Sequence, residues 1–333
     1  MKTSQPKRQR LLSGMRPTGP LHLGHLVGAL TNWAKLQDEY NCFFMVADWH
    51  AHMSEYEHPQ NIKTYTLDNL LDWLSCGLDP SKSTLFVQSH VREHAELYLL
   101  LSNITPLGWL ERCPTYKEQL REITTRDLHT FGFLGYPVLQ TADILIYQAQ
   151  AVPVGQDQLA HLELTREIAR RFQHIYKKTV FTEPQAILTE TPKLLGFDNR
   201  KMSKSYNNFI ALSDSAEAVR KKTSRMITDP QRIKRNDPGH PEICNVFSYF
   251  QTFQPEVEAQ LLADCRRGAI GCTECKKRLA QVLNDRLDPL REKREKLTRQ
   301  KSKVETILKD GEKRASKVCQ ETLSAVKQLV GLY

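Results

Sequence analysis

The sequence has no run of apolar residues long enough to cross a bilayer, which would need about 20 of them, and it has no apolar stretch behind its first residues. Residues 1–10 are polar and basic, so they differ from a secretion signal and are predicted to form an N-terminal tail. These two absences lead us to expect a cytoplasmic protein without a membrane partner. The 40% of hydrophobic and 26% of charged residues are typical of globular proteins.

Positive charge is unevenly distributed along the chain. The formal net charge is +9, and residues 276–333 contain 16 lysines and arginines against 8 aspartates and glutamates. Almost the whole positive excess therefore belongs to this C-terminal stretch. Such a stretch favours a polyanionic partner such as nucleic acid, although a solvated helical face would have the same composition.

Cysteine is sparse, and half of the eight cysteines are isolated from one another. Isolated cysteines in a reducing compartment are expected to act as small buried hydrophobes, and this applies to Cys42, Cys76, Cys113 and Cys319. The others form a C-x20-C-x6-C-x2-C pattern made by Cys244, Cys265, Cys272 and Cys275. A C-x2-C pair can place two thiolates on one metal, and four cysteines suit either Zn²⁺ or an iron–sulfur cluster. Four free thiols are a further alternative, and disulfides are the least expected outcome.

Strand-like and helix-like segments alternate in the first half of the chain. Continuous apolar runs predict strands at residues 10–14, 42–47, 84–88 and 152–154. Helical spacing predicts helices at residues 21–40, 61–76, 93–103, 135–150 and 156–176. This alternation predicts an α/β fold with a doubly wound, Rossmann-like parallel sheet and ligands at the carboxyl ends of its strands.

After about residue 206 only helices are predicted, at residues 214–226, 256–267, 272–299 and 304–332. We therefore expect a catalytic α/β domain over residues 11–205 and an all-helical domain over residues 206–333.

The segment that joins the first predicted strand to the first helix has the sequence Gly-Met-Arg-Pro-Thr-Gly-Pro-Leu-His-Leu-Gly-His, from Gly14 to His25. A helix start presents free N–H groups and a positive dipole end, which together bind anions. His22 and His25 are three residues apart and so share a face of the first turn, while Gly24 between them lets a flat ring approach the backbone. The pattern suits a triphosphate, although on its own it is more often a pair of surface histidines.

A second motif, Lys201-Met202-Ser203-Lys204-Ser205, forms a short basic loop. Lysines are point-charge phosphate binders, and this loop could neutralise pyrophosphate as it leaves. On its own, a run of charge like this one is usually solvated surface. His-x-Gly-His followed by Lys-Met-Ser-Lys-Ser on an α/β chain resembles the signature pair of class I aminoacyl-tRNA synthetases. The pair predicts adenylation chemistry, in which His22, His25, Lys201 and Lys204 act as the catalytic residues.

More of the chain resembles the bacterial tryptophanyl-tRNA synthetases. The similar segments lie at residues 14–19, 46–51, 136–145, 152–158, 161–166 and 284–294, so the resemblance runs from about residue 11 to the C-terminus. It implies a tryptophan–tRNA ligase that uses L-tryptophan, ATP with Mg²⁺ and tRNA(Trp), and that forms a homodimer. Three rival hypotheses are a tyrosyl-tRNA synthetase, a small-molecule adenylyltransferase, and a synthetase-derived protein that binds RNA without charging it.

The predicted amino-acid pocket centres on the helix at residues 135–150. Its polar residues Tyr136, Gln140, Asp143 and Tyr147 are spaced by 4, 3 and 4, which places them on one face. Such a stripe on a buried helix needs partners, either structural hydrogen bonds or a substrate. The resemblance implies that Asp143 accepts the indole N–H, a group that can only donate. It further implies that the tryptophan-binding residues are Asp143, Gln158, Tyr136, His50 and Gln140.

The resemblance also implies an ATP site. Its residues would be Arg16, Pro17, Thr18, Gly24, His25, Gly155, Gln156, Asp157, Lys201, Met202, Ser203, Lys204 and Ser205. Two positions depart from the common family pattern. Gln140 stands where methionine is frequent and Arg16 where glutamine is frequent, so their contacts with the substrates are expected to differ.

The four-cysteine pattern, with Ile270-Gly271 before Cys272 and Lys276-Lys277 after Cys275, resembles a subset of these synthetases. Members of that subset carry a [4Fe–4S] cluster in the anticodon-binding domain. The resemblance implies such a cluster at Cys244, Cys265, Cys272 and Cys275, with zinc or no metal as the alternatives. The basic residues 276–278, which directly follow Cys275, would then contact tRNA.

Overall fold

Five strands form one parallel sheet in the computed structural model, which describes residues 8–122, 126–188, 194–202, 204 and 206–332. The strands are β1 (Arg10–Met15), β2 (Asn41–Val46), β3 (Ser83–Val87), β4 (Ala151–Val154) and β5 (Gln185–Leu188). Their spatial order is β3-β2-β1-β4-β5, so the chain begins in the middle of the sheet and winds outward to both edges. The predicted doubly wound α/β fold is therefore confirmed.

Helices connect and surround the strands. In the first half these are α1 (Leu23–His25), α2 (Thr31–Glu39), α3 (Asp48–Glu55), α4 (Ile62–Ser75), α5 (Glu93–Ser102), α6 (Leu107–Glu111), α7 (Pro114–Glu122), α8 (Phe131–Leu134), α9 (Tyr136–Ile146) and α10 (Leu159–Tyr176). The later helices are α11 (Ala216–Ser224), α12 (Asn245–Phe253), α13 (Glu258–Arg266), α14 (Cys272–Arg299) and α15 (Lys301–Val330). No helix within the described ranges is long and apolar enough to span a membrane.

The sheet is covered on both faces because successive side chains of its strands enter different hydrophobic clusters. Leu11 and Phe44 contribute to one cluster, and their neighbours Leu12 and Phe43 contribute to the other. All four side chains are nearly or fully buried. Burial on both faces explains why β1 to β3 are continuous apolar runs in the sequence.

The last two helices pack against the α/β part of the chain, α14 on helix α4 and α15 on strand β3. Arg294 on α14 donates to Asp72 and Asp68 of α4 at 2.8 and 2.7 Å. On α15, a Cβ added at Gly311 would lie 1.8 Å from the Leu85 carbonyl oxygen of the edge strand β3. The final helix therefore packs directly on the backbone of the sheet edge. The predicted boundary between a catalytic and a helical domain near residue 205 remains a prediction.

Candidate active site

The turn after β1 is held against the basic loop. Gly19 has φ +149°, which favours glycine, and a Cβ there would lie 2.9 Å from Cδ of Lys204. The Lys204 ammonium donates to the Gly19 carbonyl at 3.1 Å. Behind this contact, Leu23 N donates to Ile210 O at 3.1 Å, and Leu212 N donates to Leu21 O at 2.9 Å. The two motifs that the sequence singled out are thus adjacent.

Backbone hydrogen bonds fix the tautomers of the two motif histidines. The Gly24 N–H donates to His22 Nδ1, and the His22 N–H donates to His25 Nδ1, both at 3.2 Å. Each Nδ1 is therefore an acceptor, and in the neutral ring the proton lies on Nε2. Burial, aided by Lys204, lowers the pKa of His22 to about 4, and burial with the neighbouring His22 lowers the pKa of His25 well below its ordinary value. Both rings are neutral at pH 7 and present one N–H donor each.

Contacts made by Met202 and Asn208 support the basic loop. Met202 is buried, and its Sδ lies 3.6 Å from the position of a Cβ at Gly24. Asn208 donates to the Lys201 carbonyl at 3.1 Å, whereas the Lys201 side chain itself is exposed. Burial and the nearby Arg16 lower the pKa of Lys204 to about 8. Ser203 and Ser205 lie outside the described residues.

A pocket of about 480 Å³ opens beside β1, β2 and β4. All five predicted tryptophan-binding residues line it, namely His50, Tyr136, Gln140, Asp143 and Gln158. Arg16 and Gly155 of the predicted ATP site line it as well. The pocket therefore brings the amino-acid residues to the strand ends where the sequence predicted a ligand.

Three side chains donate to the carboxylate of Asp143, which is fully buried on α9. His94 Nδ1 lies 2.6 Å from Oδ1, and His50 Nε2 lies 2.8 Å from Oδ2. Gln88 Nε2 reaches both oxygens at 2.8 and 2.9 Å. Burial alone would raise the pKa of Asp143, but the hydrogen bonds from His50 and His94 outweigh it and lower that pKa to about 2. The carboxylate is ionised at neutral pH, and each of its oxygens accepts from two side chains.

A buried chain of hydrogen bonds fixes the orientation of His94. Its Nε2 accepts from the Tyr147 hydroxyl at 2.8 Å, so its Nδ1 carries the proton that Asp143 accepts. The Tyr147 hydroxyl also contacts the Cys319 thiol on α15. All four side chains are fully buried. Tyr147 therefore lies behind the pocket rather than in it, although it continues the polar stripe predicted on α9.

A second polar cluster supports Tyr136. Its hydroxyl lies 3.2 Å from Thr115 Oγ1 and 3.2 Å from His161 Nε2, while Thr115 and His161 also bond to each other. Burial lowers the pKa of His161 to about 4, so its ring is neutral. His161 lines the pocket, although sequence analysis predicted no role for it. Gln88, His94 and His161 were all missed, and only their polar character among apolar neighbours could have pointed to them.

The turn that precedes α10 carries the remaining predicted ATP residues. Gly155 leads into a short 3₁₀ segment, Gln156–Gln158, before the helix begins at Leu159. A Cβ at Gly155 would lie 2.6 Å from Asp157 Oδ1, and Gln158 Nε2 donates to Asp157 Oδ2 at 2.8 Å. Gln156 and Asp157 are exposed. This turn presents polar groups outward at the end of β4, next to the pocket.

The four patterned cysteines lie near one another around the start of α14. Burial, together with the nearby Cys244, Cys265 and Cys272, raises the pKa of the Cys275 thiol to about 12. A Cβ at Gly239 would lie 2.5 Å from Cys265 Sγ. Within the part of the chain that is described, no three histidine, cysteine, aspartate or glutamate side chains are arranged as a metal-binding group.

Comparison with known proteins adds to this geometry. Residues 4–288 match the family described as class I tRNA synthetases (W and Y). The tryptophan–tRNA ligase of Thermotoga maritima is 51% identical over 326 residues, covering 97% of this chain and 99% of that protein. The enzyme of the same name from Aquifex aeolicus is 43% identical and is covered completely. A crystal structure of tryptophanyl-tRNA synthetase from Campylobacter jejuni, complexed with ADP and tryptophan, matches with TM-score 0.88 and 33% identity. It covers 97% of this chain and 100% of that one.

The fold, the two adjacent motifs and the family match define the class of protein. The chain belongs to the class I aminoacyl-tRNA synthetases. Within that class, its full-length similarity places it in the tryptophan–tRNA ligase family.

Proposed function

We propose that the chain carries out the two-step reaction of a tryptophan–tRNA ligase with the residues described above. A carboxylate oxygen of tryptophan attacks the α-phosphorus of Mg-ATP, the bond to the β-phosphate oxygen breaks, and pyrophosphate leaves. A hydroxyl of the terminal ribose of tRNA(Trp) then attacks the carbonyl carbon of the adenylate and releases AMP. No side chain becomes covalent, so the rate comes from positioning and electrostatics.

In this proposal the phosphates lie between the Gly14–His25 turn and the basic loop. The Nε2–H groups of His22 and His25 donate to phosphate oxygens, and neutral donors fit a site that already has Lys204 within it. The ammonium groups of Lys201 and Lys204 offset the charge that develops on the departing pyrophosphate. The contact between Lys204 and Gly19 supports this arrangement, because it keeps one cation at the turn before ATP arrives.

Asp143 selects the amino acid in this proposal, and this buried, ionised carboxylate on the pocket wall is the observation that carries it. The indole N–H is a donor without an acceptor, so a carboxylate held in the ionised form is its matched partner. Tyr136, Gln140 and Gln158 surround the remainder of the amino acid, and His50 lies beside Asp143.

ATP–pyrophosphate exchange tests the assignment. Exchange should depend on tryptophan and remain near background with tyrosine, which would separate the ligase from its tyrosyl counterpart. Replacing both Lys201 and Lys204 by alanine should slow exchange by orders of magnitude. Unchanged exchange in that variant would remove the basic loop from the mechanism. Loss of tRNA charging with exchange intact would instead show that the second step, the transfer of tryptophan to tRNA, is impaired.

We further propose that Cys244, Cys265, Cys272 and Cys275 hold a [4Fe–4S] cluster. Four thiolates are the ligand set of such clusters. Burial raises the pKa of Cys244, Cys265 and Cys275, and the neighbouring thiols are close enough to add to that rise. The glycine at position 239 leaves room for the Cys265 sulfur. When bound, the cluster would fasten the start of α14 to the segment that precedes α12, and it has no part in adenylation.

Metal analysis of anaerobically purified protein tests the cluster. We expect about four iron and four sulfide per chain with a broad visible absorption band. Both should be lost in Cys272→Ser and kept in the control Cys76→Ser, since Cys76 lies outside the pattern. Stoichiometric zinc without iron, or neither metal, would each contradict the proposal.

The exposed basic residues around this site are proposed to contact tRNA. Lys234 and Arg235 lie on the loop before α12, and Lys277 lies near the start of α14. The Arg235 side chain packs 3.6 Å from the position of a Cβ at Gly271. Reversing the charge of Lys234 and Lys277 should raise the KM for tRNA and leave tryptophan activation intact. The exposed Lys309→Glu on α15 is the matched control.

A homodimer and a cytoplasmic location complete the proposal. Leu99, Leu107 and Phe131 are 62, 61 and 76% exposed, and large apolar side chains with such exposure are typical of contact surfaces. Sedimentation of wild type and Phe131→Asp would test whether this surface joins two copies. All eight cysteines are free, as expected in a reducing compartment.

A further inference from the structure

The donors of Asp143 differ in whether a ligand can reach them. Gln88 and His94 are fully buried and do not line the pocket, whereas His50 does line it and its side chain is 11% exposed. His94 is held from behind by Tyr147. An incoming molecule can therefore compete with one donor only.

Few contacts hold the His50 ring in place. Within the described residues, its one hydrogen bond is the 2.8 Å contact from Nε2 to Asp143 Oδ2. The ring lies two residues into α3, whose start is fixed independently by Asp48, which accepts from the backbone N–H groups of Trp49 and Ser89 at 3.1 and 3.0 Å. The His50 side chain can therefore rotate away from Asp143 without disturbing the helix that carries it.

The burial of the Asp143 carboxylate makes this difference matter. The single Nε2 of Gln88 lies between the two oxygens, so with His94 on Oδ1 and His50 on Oδ2 each oxygen accepts from two side chains. The Asp143 side chain is fully buried with these three donors around it. An indole N–H would be a fourth donor, and it can reach the carboxylate only if His50, the donor that faces the pocket, withdraws.

We propose that His50 is an exchangeable donor that determines how strictly the pocket requires an indole N–H. It occupies Asp143 Oδ2 in the absence of tryptophan and yields that oxygen to the indole. When an analogue without the N–H fills the pocket, His50 stays bonded to Asp143. This inference rests on the proposed contact between Asp143 and tryptophan, and it adds that selectivity is set by a competition within the protein.

A binding comparison tests the exchange. The probes are L-tryptophan and L-β-(1-benzothiophen-3-yl)alanine, in which sulfur replaces the indole N–H, with dissociation constants from calorimetry. The ratio of the two constants compares the two complexes, so effects on the free protein cancel. In His50→Ala, the analogue complex has one hydrogen-bond donor to Asp143 fewer than the tryptophan complex. A hydrogen bond to a charged group is worth enough that the preference for tryptophan should increase by about ten- to a hundredfold.

Two further variants identify the cause. His50→Gln retains an N–H donor and should keep a preference close to that of wild type. His52→Ala, at an exposed position on the same helix, should also behave as wild type. An equal increase in His50→Ala and His50→Gln would show that side-chain size rather than the donor matters, and would overturn the proposal.

The outcomes separate this inference from the proposed function. If wild type prefers tryptophan and His50→Ala shows an unchanged or smaller preference, the exchange is wrong while the Asp143 contact stands. If neither protein distinguishes the two ligands, the Asp143 contact itself is wrong.

Imidazole ¹⁵N resonances of the wild-type protein give a measurement that needs no variant to fold. Tryptophan should shift the His50 Nε2 signal and leave that of His94 in place, and the analogue should shift neither. A His50 signal that does not respond to tryptophan would overturn the exchange.

Discussion

The depressed pKa of Lys204 predicts a pH-dependent loss of ATP activation. Burial and the positive charge of Arg16 lower that pKa to about 8, against an ordinary value of 10.5. A group with this pKa is about nine-tenths protonated at pH 7 and about one-tenth protonated at pH 9. Only the ammonium form attracts phosphate, so kcat/KM for ATP in pyrophosphate exchange should fall about tenfold between these two pH values.

The profile of kcat/KM is the appropriate measurement because it reports groups of the free enzyme, whereas kcat reports the bound complex. Bound phosphates would raise the pKa of Lys204, so kcat should decline at higher pH than kcat/KM. Lys204→Arg keeps its charge at all accessible pH values. We expect a lower but flat profile from it between pH 7 and 9.

Lys201→Arg is the matched control, since Lys201 belongs to the same loop but is exposed. It should retain the alkaline decline of wild type. A wild-type profile that stays level to pH 9.5, or a decline of equal size in Lys204→Arg, would refute the reasoning, because the titrating group would then not be Lys204.

Two predictions concern how α14 is held to helix α4 and how α15 is held to strand β3. Arg294→Met should lower the free energy of unfolding by about 3 kcal/mol in chemical denaturation at pH 7, because Asp72 would remain buried without its partner. Burial raises the pKa of Asp72 to about 6, so the loss should shrink below that pH, where the carboxyl is protonated. Gly311→Ala should cost about 3 kcal/mol in the same assay, since its Cβ would overlap the Leu85 carbonyl.

Each stability prediction has a control in the same chain. Arg299 forms an exposed ion pair with Glu295, and Arg299→Ala should change stability by less than about 0.5 kcal/mol. Among the residues that the structure describes, none lies within 4 Å of the Cβ position at Gly132, so Gly132→Ala should be neutral or slightly stabilising. If these controls lose as much stability as Arg294→Met and Gly311→Ala, the contacts of Arg294 and Gly311 are not the cause of the destabilisation.

Sequence analysis predicted the strands whose residues are buried along most of their length. It missed elements that form through contacts with another part of the chain. β1 to β4 were found as apolar runs near their observed positions. β5 (Gln185–Leu188) was missed because its side chains are partly or fully exposed at the sheet edge, and it is a strand through backbone pairing with β4. α3 (Asp48–Glu55) was missed because its residues are mostly polar, although it brings His50 into the pocket.

The residues of the candidate site also fall into those that sequence analysis found and those that it missed. The motif residues and Asp143 could be chosen from local sequence, since spacing on a turn or helix face is a local property. Gln88 and His94 lie 55 and 49 residues from Asp143, and no local pattern connects them with it. Only the parallel sheet, which brings the end of β3 next to α9, makes them partners.

The position of α15 has a consequence for the order of events during synthesis. Arg314 on this helix donates to the carbonyl of Ser83 in the edge strand β3, and 231 residues separate the two. Cys319 of the same helix completes the buried chain through Tyr147 and His94 to Asp143. A nascent chain therefore holds an unprotected strand edge, a feature that promotes aggregation, until the ribosome has made α15. The Asp143 carboxylate gains the last member of this hydrogen-bonded chain at the same late stage, so its neighbours are not fully held in place until α15 is made.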